Sequence, residues 1–292
     1  MVDTSVRTTV GRSISNDLDG LIAHVMWNEI TGAYAVRKFG ERLSVGTAEE
    51  DLWNGPDNKE TLLTTGVTHY LSCTDNTNGV GQRIRIEGLD ENWEVQSGYG
   101  ILTGQTQAAI VKNDGSAALW TRINRAFQVS AVPDPVGDVY VAESDTLTAG
   151  VPDTSSKVHG FLDFATDAAH QTEKAMYTVP AAHVGLILDI TGGIEHSGGS
   201  TRAADFFLEV QELAFDATAS APAWAPFRRI QELDVNSGAT VWNQEYFHVP
   251  FIVGPLTNIH LRAAASASSD LIGSFEVIVI PEEYEPGHEV FA

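Results

Sequence analysis

Arg83-Ile-Arg-Ile-Glu87 runs into Gly88-Leu-Asp-Glu-Asn92 and then into Trp93-Glu-Val-Gln96. The first five residues alternate charged and apolar, as a half-buried strand must when successive side chains leave opposite faces. The Gly, Asp and Asn that follow supply turn chemistry, and the alternation resumes at Trp93. Residues 82–97 therefore read as an antiparallel hairpin. The same grammar recurs at residues 121–132, 138–141, 184–190, 205–213, 242–249, 258–263 and 274–280, with Gly, Pro, Asn and Asp between the runs. Strands at this spacing do not fit alternating βα units. They predict a mainly β protein made of two antiparallel, jelly-roll-like β-sandwich domains.

Two stretches read as short helices. Leu18, Leu21, Ile22, Val25 and Met26 fall on one face of a helix over residues 17–30, which is either core or an anchor for a partner. Thr47-Ala-Glu-Glu50 has the form of a capping box opening one or two turns, stopped by Gly55-Pro56. Helix should therefore stay below about a fifth of the chain, against the usual third. A length of 292 residues suits one or two domains. The stretch between Glu143 and Gly160 has no Phe, Trp or Tyr and is rich in Ser, Thr, Asp, Gly and Pro, as a linker or a long surface loop would be. The division expected there gives an N-terminal β-rich domain, residues 1–160, and a C-terminal sandwich, residues 161–292.

Composition excludes several classes of function. The chain carries 39 acids and 17 bases, a net charge of −22. A protein that grips a bare phosphate backbone needs clustered Lys and Arg, so no nucleic-acid partner is expected. Apolar residues make up 43%, enough to build a core. There is no window of 18 consecutive apolar residues and no basic leader followed by an apolar stretch, which predicts neither a membrane partner nor a secretory signal. A single cysteine, Cys73, excludes an intrachain disulfide framework and a cysteine zinc site.

Chemistry-bearing motifs are scarce. The phosphate loop, the H-E-x-x-H zinc motif and the G-x-S-x-G elbow are all missing. Gly98-Tyr-Gly-Ile-Leu-Thr103 lacks the third glycine of a dinucleotide fingerprint. An EF-hand loop starting at Asp75 would need an acid where Thr77 stands and a Glu where Ile86 stands. Asp75-Asn-Thr-Asn-Gly79 reads as a turn closed by its own side chains, with a calcium site outside the EF-hand pattern as the alternative. The nine histidines show no i, i+4 pair; His248 and His260 could meet across a sheet, as many pairs could. Carboxylates are so numerous that a glycosidase pair cannot be singled out without its geometry. Trp93, Trp120 and Trp242 sit in strand patterns, as core or interface residues do. Ala221-Pro-Ala-Trp-Ala-Pro226 is irregular, and its tryptophan either anchors a loop or touches a neighbouring subunit. Trp224 and Phe227 are accordingly the candidate interface residues. Glu282-Glu-Tyr-Glu-Pro-Gly-His-Glu289 reads as a solvated acidic stretch. The residues thus predict no catalytic centre, no cofactor and no metal.

One set of segments resembles a known family. Lys38-Phe-Gly40, Gly46-Thr-Ala-Glu-Glu-Asp-Leu-Trp-Asn-Gly55, Gly81-Gln-Arg-Ile-Arg-Ile-Glu-Gly-Leu-Asp-Glu-Asn-Trp93 and Thr121-Arg-Ile-Asn-Arg-Ala-Phe127 occur in that order. Ala175-Met-Tyr-Thr-Val-Pro180 and Pro255-Leu-Thr-Asn-Ile-His-Leu-Arg-Ala263 follow. The order and wording resemble virion structural proteins of tailed bacteriophages. The chain departs from them in lacking a glycine-rich run after Trp53. Arg125 and Phe127 fall in the shared strand. The resemblance implies a component of a phage particle, assembled in the host cytoplasm, which is not an enzyme. A capsid decoration or cement protein on the head exterior is the first expectation, and a neck, tail or short-fibre adaptor component the alternative. A carbohydrate-active enzyme and a cellular binding module are the competing classes. The partners implied are further copies of the chain, with a trimer as first choice, and the major capsid protein or neck and tail proteins.

Overall fold

The computed structural model describes residues 25, 30–77, 80–129, 137–164, 170–195, 202–214, 223–237 and 241–284. The chain runs from β1 (Tyr34–Val45) and β2 (Glu50–Asp51) into β3 (His69–Cys73), β4 (Arg83–Leu89), β5 (Val95–Ile101), β6 (Ala108–Ala109), β7 (Val111–Lys112) and β8 (Arg122–Gln128). It continues through β9 (Val139–Glu143), a small ribbon of β10 (Leu147–Thr148) and β11 (Val151–Pro152), and β12 (Val158–Leu162). The remaining strands are β13 (Met176–Thr178), β14 (His183–Glu195), β15 (Arg202–Ala214), β16 (Ala223–Trp224), β17 (Arg228–Ser237), β18 (Val241–Val253), β19 (Thr257–Ala265) and β20 (Ser269–Pro281).

The fold is mainly β, in antiparallel sheets consistent with β-sandwich domains. In the first sandwich, a sheet ordered β12-β9-β3-β6 faces one ordered β7-β5-β4-β8. Leu71, Ile84, Ile86, Trp120, Val139 and Leu162 fill the space between them. In the second, β1-β20-β14-β18 faces a six-stranded sheet along β13-β19-β15-β16, to which β17 and β2 add. Its core holds Leu52, Ile187, Ile190, Phe206, Leu208, Leu261 and Phe275.

The hairpin that decides the fold is present. β4 and β5 pair from Arg83↔Ile101 to Leu89↔Val95. Ile84 and Ile86 face inward while Arg83 and Arg85 face water. Asp90 closes the turn by accepting the backbone N–H groups of Asn92 and Glu94. Gly98 and Gly100 lie within β5, not in a nucleotide loop. A Cβ on Gly98 would stand 2.3 Å from the Val111 carbonyl oxygen, so the glycine permits close packing of β7.

The first helical reading, residues 17–30, lies outside the described residues apart from Val25 and Ile30. Those two are buried, with Val184, Leu186, Ile278 and Ile280 of β14 and β20 beneath them. The capping box at Thr47-Ala-Glu-Glu50 is corrected: residues 47–48 bend, and Glu50 begins β2. The acids that would have capped a helix pair with distant cations, Glu50 with Arg42 and Glu49 with Arg229 and Arg262. The stretch after Glu143 holds the β10–β11 ribbon and a 3₁₀ turn at Ser155–Lys157 before β12. It is a surface excursion within the first sandwich.

Hydrogen bonding also divides the chain differently from composition. Residue 160 falls inside β12. β1 pairs along its length with β20, from Tyr34↔Val279 to Val45↔Ser269, and β2 pairs with β19. β1 and β2 therefore belong to the second sandwich, which the chain leaves after β2 and rejoins at β13. Exit and return are clasped together: the Ala175 N–H donates to the Leu52 carbonyl at 2.9 Å, and Trp53 bridges Lys174.

Candidate functional site

The two sandwiches meet along β8, where three successive residues are each tied across by a cation. Arg122 reaches out of β8. Its Nε lies 3.0 Å from Thr178 Oγ1 and 3.2 Å from Asn258 Oδ1, and its Nη1 donates to the Leu63 carbonyl at 2.8 Å. Lys174 donates to the Ile123 carbonyl at 3.0 Å, and Lys38 donates to the Asn124 carbonyl. Apolar clusters flank these ties. Trp53, Tyr140, Val158 and Met176 form one, and Leu89, Trp93 and Leu213 the other.

Beneath Lys174 lies a buried ionic cluster. Lys174 is paired with Glu60, whose side chain is 2% exposed, and donates to the His159 carbonyl at 3.1 Å. His159 stands between two carboxylates, with Nδ1 3.6 Å from Glu60 and Nε2 3.2 Å from Glu143. The His69 ring meets His159 edge-on, 4.9 Å between centroids. Burial pushes the Glu60 carboxyl up, but the Lys174 ammonium and His159 outweigh it and hold the group at about 2. Burial and the charge on His159 pull His69 down to about 3. Its Nδ1 lies 3.2 Å from the Val67 carbonyl and its Nε2 has no hydrogen-bond partner among the described residues. That fits a neutral ring with the proton on Nδ1. Burial disfavours a charge on His159, yet its hydrogen bond to Glu143 and the neighbouring Glu60 carboxylate prevail and raise it. The cluster thus alternates charge, Glu60 and Glu143 against Lys174 and His159. Lys174, Glu60, His159 and Glu143 are bonded to one another and to backbone carbonyls, which ties the two sandwiches together.

The signs give a pH prediction. Both Glu60 and His69 have folded values below their ordinary ones. Their contributions are full above the ordinary values, 4.5 and 6.5, and are lost as pH falls toward about 2 and about 3. His159 is raised, so its contribution is full below 6.5 and does not oppose the loss. Urea unfolding should show stability falling from pH 6.5 downward. The fall between pH 6.5 and 4.5 should shrink in His69→Phe; an identical slope in that variant would refute the assignment.

Beside this seam lies a groove of about 700 Å³. Residues 34–39 of β1 form one wall; β4, β5 and β8 form the other, with Gln171, Thr172 and Tyr177 at the margin. The Tyr34 and Tyr177 hydroxyls bond to each other at 2.9 Å. Lys38, 7% exposed, is pulled down to about 7 by burial, with Lys174 and Arg125 adding to the effect.

A third feature is on the outer strand of the four-stranded sheet. Trp242, Tyr246, Val249 and Ile252 of β18 are each more than half exposed.

The residues singled out in the sequence have definite places. Trp224 is half-buried, edge-on to Trp93 at 5.6 Å, with the Arg122 guanidinium 4.8 Å from its ring. It anchors its loop, β16 pairing with β15 through Leu213↔Trp224. Phe227 packs on His260 at 4.7 Å. Trp93 and Trp120 are core, whereas Trp242 is 53% exposed. Asp75 accepts the Thr77 N–H at 2.7 Å, the turn chemistry expected of it. His260 lies 3.5 Å from Asp51. Asp205, Glu232 and Asp234 bring carboxylate oxygens within 4.8 Å, but all three are exposed, as acids commonly are on a surface of this charge. Sequence reasoning missed the ionic cluster entirely. The one available signal was Lys174, the last lysine in the chain, set beside the apolar run Ala175-Met-Tyr.

No family model matches the chain, and no curated protein matches it. Among solved structures, the D431N mutant VP2 protein of infectious bursal disease virus, in derived T=1 particles, aligns over 93% of this chain and 77% of its own. The identity is 9% and the TM-score 0.23. At that score the fold and role of this chain rest on its own strands and side chains.

Proposed function

We propose that the chain is a structural component of a virus particle, acting by docking and not by catalysis, and specifically a decoration or cement protein on the head exterior of a tailed phage. The observation that carries the reading is the β18 stripe. Four large apolar side chains stand in water on a sheet edge of a protein with net charge −22. Exposed apolar groups gathered on one strand mark a contact surface. The sandwiches beneath are locked by buried ions, which suits a component that must hold its shape. The phage-like segments in the sequence supply the particle context. The stripe serves as the contact between copies or with the shell, and a closed trimer is the arrangement we favour.

Attachment of this kind rests on apolar burial, and salt screens the repulsion between acidic copies. Protein bound to stripped heads should stay bound, or bind more tightly, as salt rises. Tyr246→Glu with Val249→Lys should abolish binding while leaving the melting temperature unchanged. Release by salt would overturn the apolar account. Quantitative mass spectrometry of purified particles tests the position: decoration requires copy numbers within a small factor of the major capsid protein, and a few to a few tens of copies would favour a neck, tail or fibre component instead.

A further inference from the structure

We propose that the groove between the two sandwiches is a docking site for an extended, carboxylate-rich peptide segment of a partner protein, which adds as a strand to the open edge of β1. The proposal does not depend on the particle reading.

The first observation is charge. In a chain where acids outnumber bases 39 to 17, the groove is lined by Arg37, Lys38, Arg85 and Arg125 against one acid, Glu87. Arg85 and Glu87 pair at 3.2 Å, so the groove keeps an excess of positive charge. Arg37 and Arg125 are exposed and stand on opposite walls, one on β1 and the other on β8. Lys38 also lines the groove, buried, with its Nζ donating to the Asn124 carbonyl, and the excess positive charge rests on Arg37 and Arg125.

The second observation is the strand edge. Among the described residues, β1 is the end strand of its sheet and pairs with β20 alone. Six consecutive residues of β1, 34 to 39, line the groove. Side chains alternate faces along a strand, so an unbroken run of lining residues means that the strand presents its edge. Such an edge offers main-chain N–H and C=O groups at the spacing of another strand, the geometry of β-augmentation.

Together the two observations select the occupant. A free carboxylate or phosphate would satisfy the cations and leave the strand edge unused. A long polyanion would extend beyond the groove onto a surface of net charge −22 and be repelled. A short extended peptide with acids on alternate positions satisfies both: its backbone pairs with β1, its carboxylates meet Arg37 and Arg125, and the side chains of its other face meet Val36. A volume of about 700 Å³ lies in the range of ligand-sized clefts, roughly 300–1,000 Å³.

The test is fluorescence anisotropy with the full chain and labelled acetyl-(Glu-Val)3-amide at low salt. Binding on the order of 10 µM is expected, about −7 kcal/mol. The double variant Arg37→Glu with Arg125→Glu should weaken it at least tenfold; both side chains are exposed, and an unchanged melting temperature confirms the fold. The same peptide with alternate amides N-methylated should lose binding to a similar degree. Equal binding of the methylated peptide overturns strand addition, and equal binding of acetyl-(Lys-Val)3-amide overturns charge recognition. Unchanged binding to the double variant overturns the site. Tighter binding by a chain ending at Tyr284 would make residues 285–292 the occupant and overturn the partner assignment.

Discussion

Replacing Lys174 with Met is expected to cost about 3–5 kcal/mol of folding stability, the usual loss when one member of a buried ion pair is removed. The residue is the centre of the seam. It pairs with Glu60 and donates to the carbonyls of Ile123 and His159, so it links the segment after β2 to β8 and β12. Met fills much of the same volume but leaves the Glu60 carboxylate, 2% exposed, with His159 as its nearest cation at 3.6 Å. Glu60 should then take up a proton well above about 2, and the variant should unfold at markedly higher pH than the parent. Adding Glu60→Gln should recover some of the loss, because the orphaned charge is gone. Chemical denaturation of the two single variants and the double supplies the cycle. A loss under about 1 kcal/mol for Lys174→Met would show that the pair contributes no net stability.

Arg122→Ala should cost about 2–4 kcal/mol, from unsatisfied buried acceptors and lost packing. The guanidinium lies against two indoles that touch each other, 5.1 Å from Trp93 and 4.8 Å from Trp224, and burial pulls it down to about 10. Its removal leaves the Leu63 carbonyl without that donor and opens a gap under Trp224. A second readout separates this from general loosening. Trp224 should move toward water, so tryptophan emission should shift to the red under native conditions, and the shift should be absent in Lys174→Met. Unchanged emission in Arg122→Ala would show that the β16 segment holds without the cation.

The contrast between these two sites shows how far sequence carries. Residues 83–96 were legible because alternation is local: Ile84 and Ile86 turn inward and their neighbours do not. β1 was not legible, because two of its inward positions hold Lys38 and Gly40. The first is buried to reach Asn124, and the second lies so close to the Leu52 carbonyl that a Cβ would be 1.9 Å from it. β17 reads as a charged run, Arg228-Arg-Ile-Gln-Glu-Leu, although Leu233 and Val235 reach the core. The Thr47–Glu50 stretch obeys helix grammar, but its acids are claimed by Arg42, Arg229 and Arg262. Tertiary ion pairs outweighed a local cap. Glu60, His69, Glu143, His159 and Lys174 form no motif: neighbouring strands β3, β9 and β12 bring His69, Glu143 and His159 together, and Glu60 and Lys174 reach them from the exit and return segments. The groove is hidden for the same reason: its walls belong to β1 and β8, whose meeting depends on a strand pairing that spans most of the chain.

The clasp at Leu52 and Ala175 has a mechanical meaning. Tension applied between residues 34 and 281 first meets β1 and β20, whose neighbouring ends unzip bond by bond. Past them, the pull can travel directly from residue 52 to residue 175 through the bonds that join exit and return. While that shortcut holds, the residues between are slack, and the first sandwich bears none of the stretch imposed on the second.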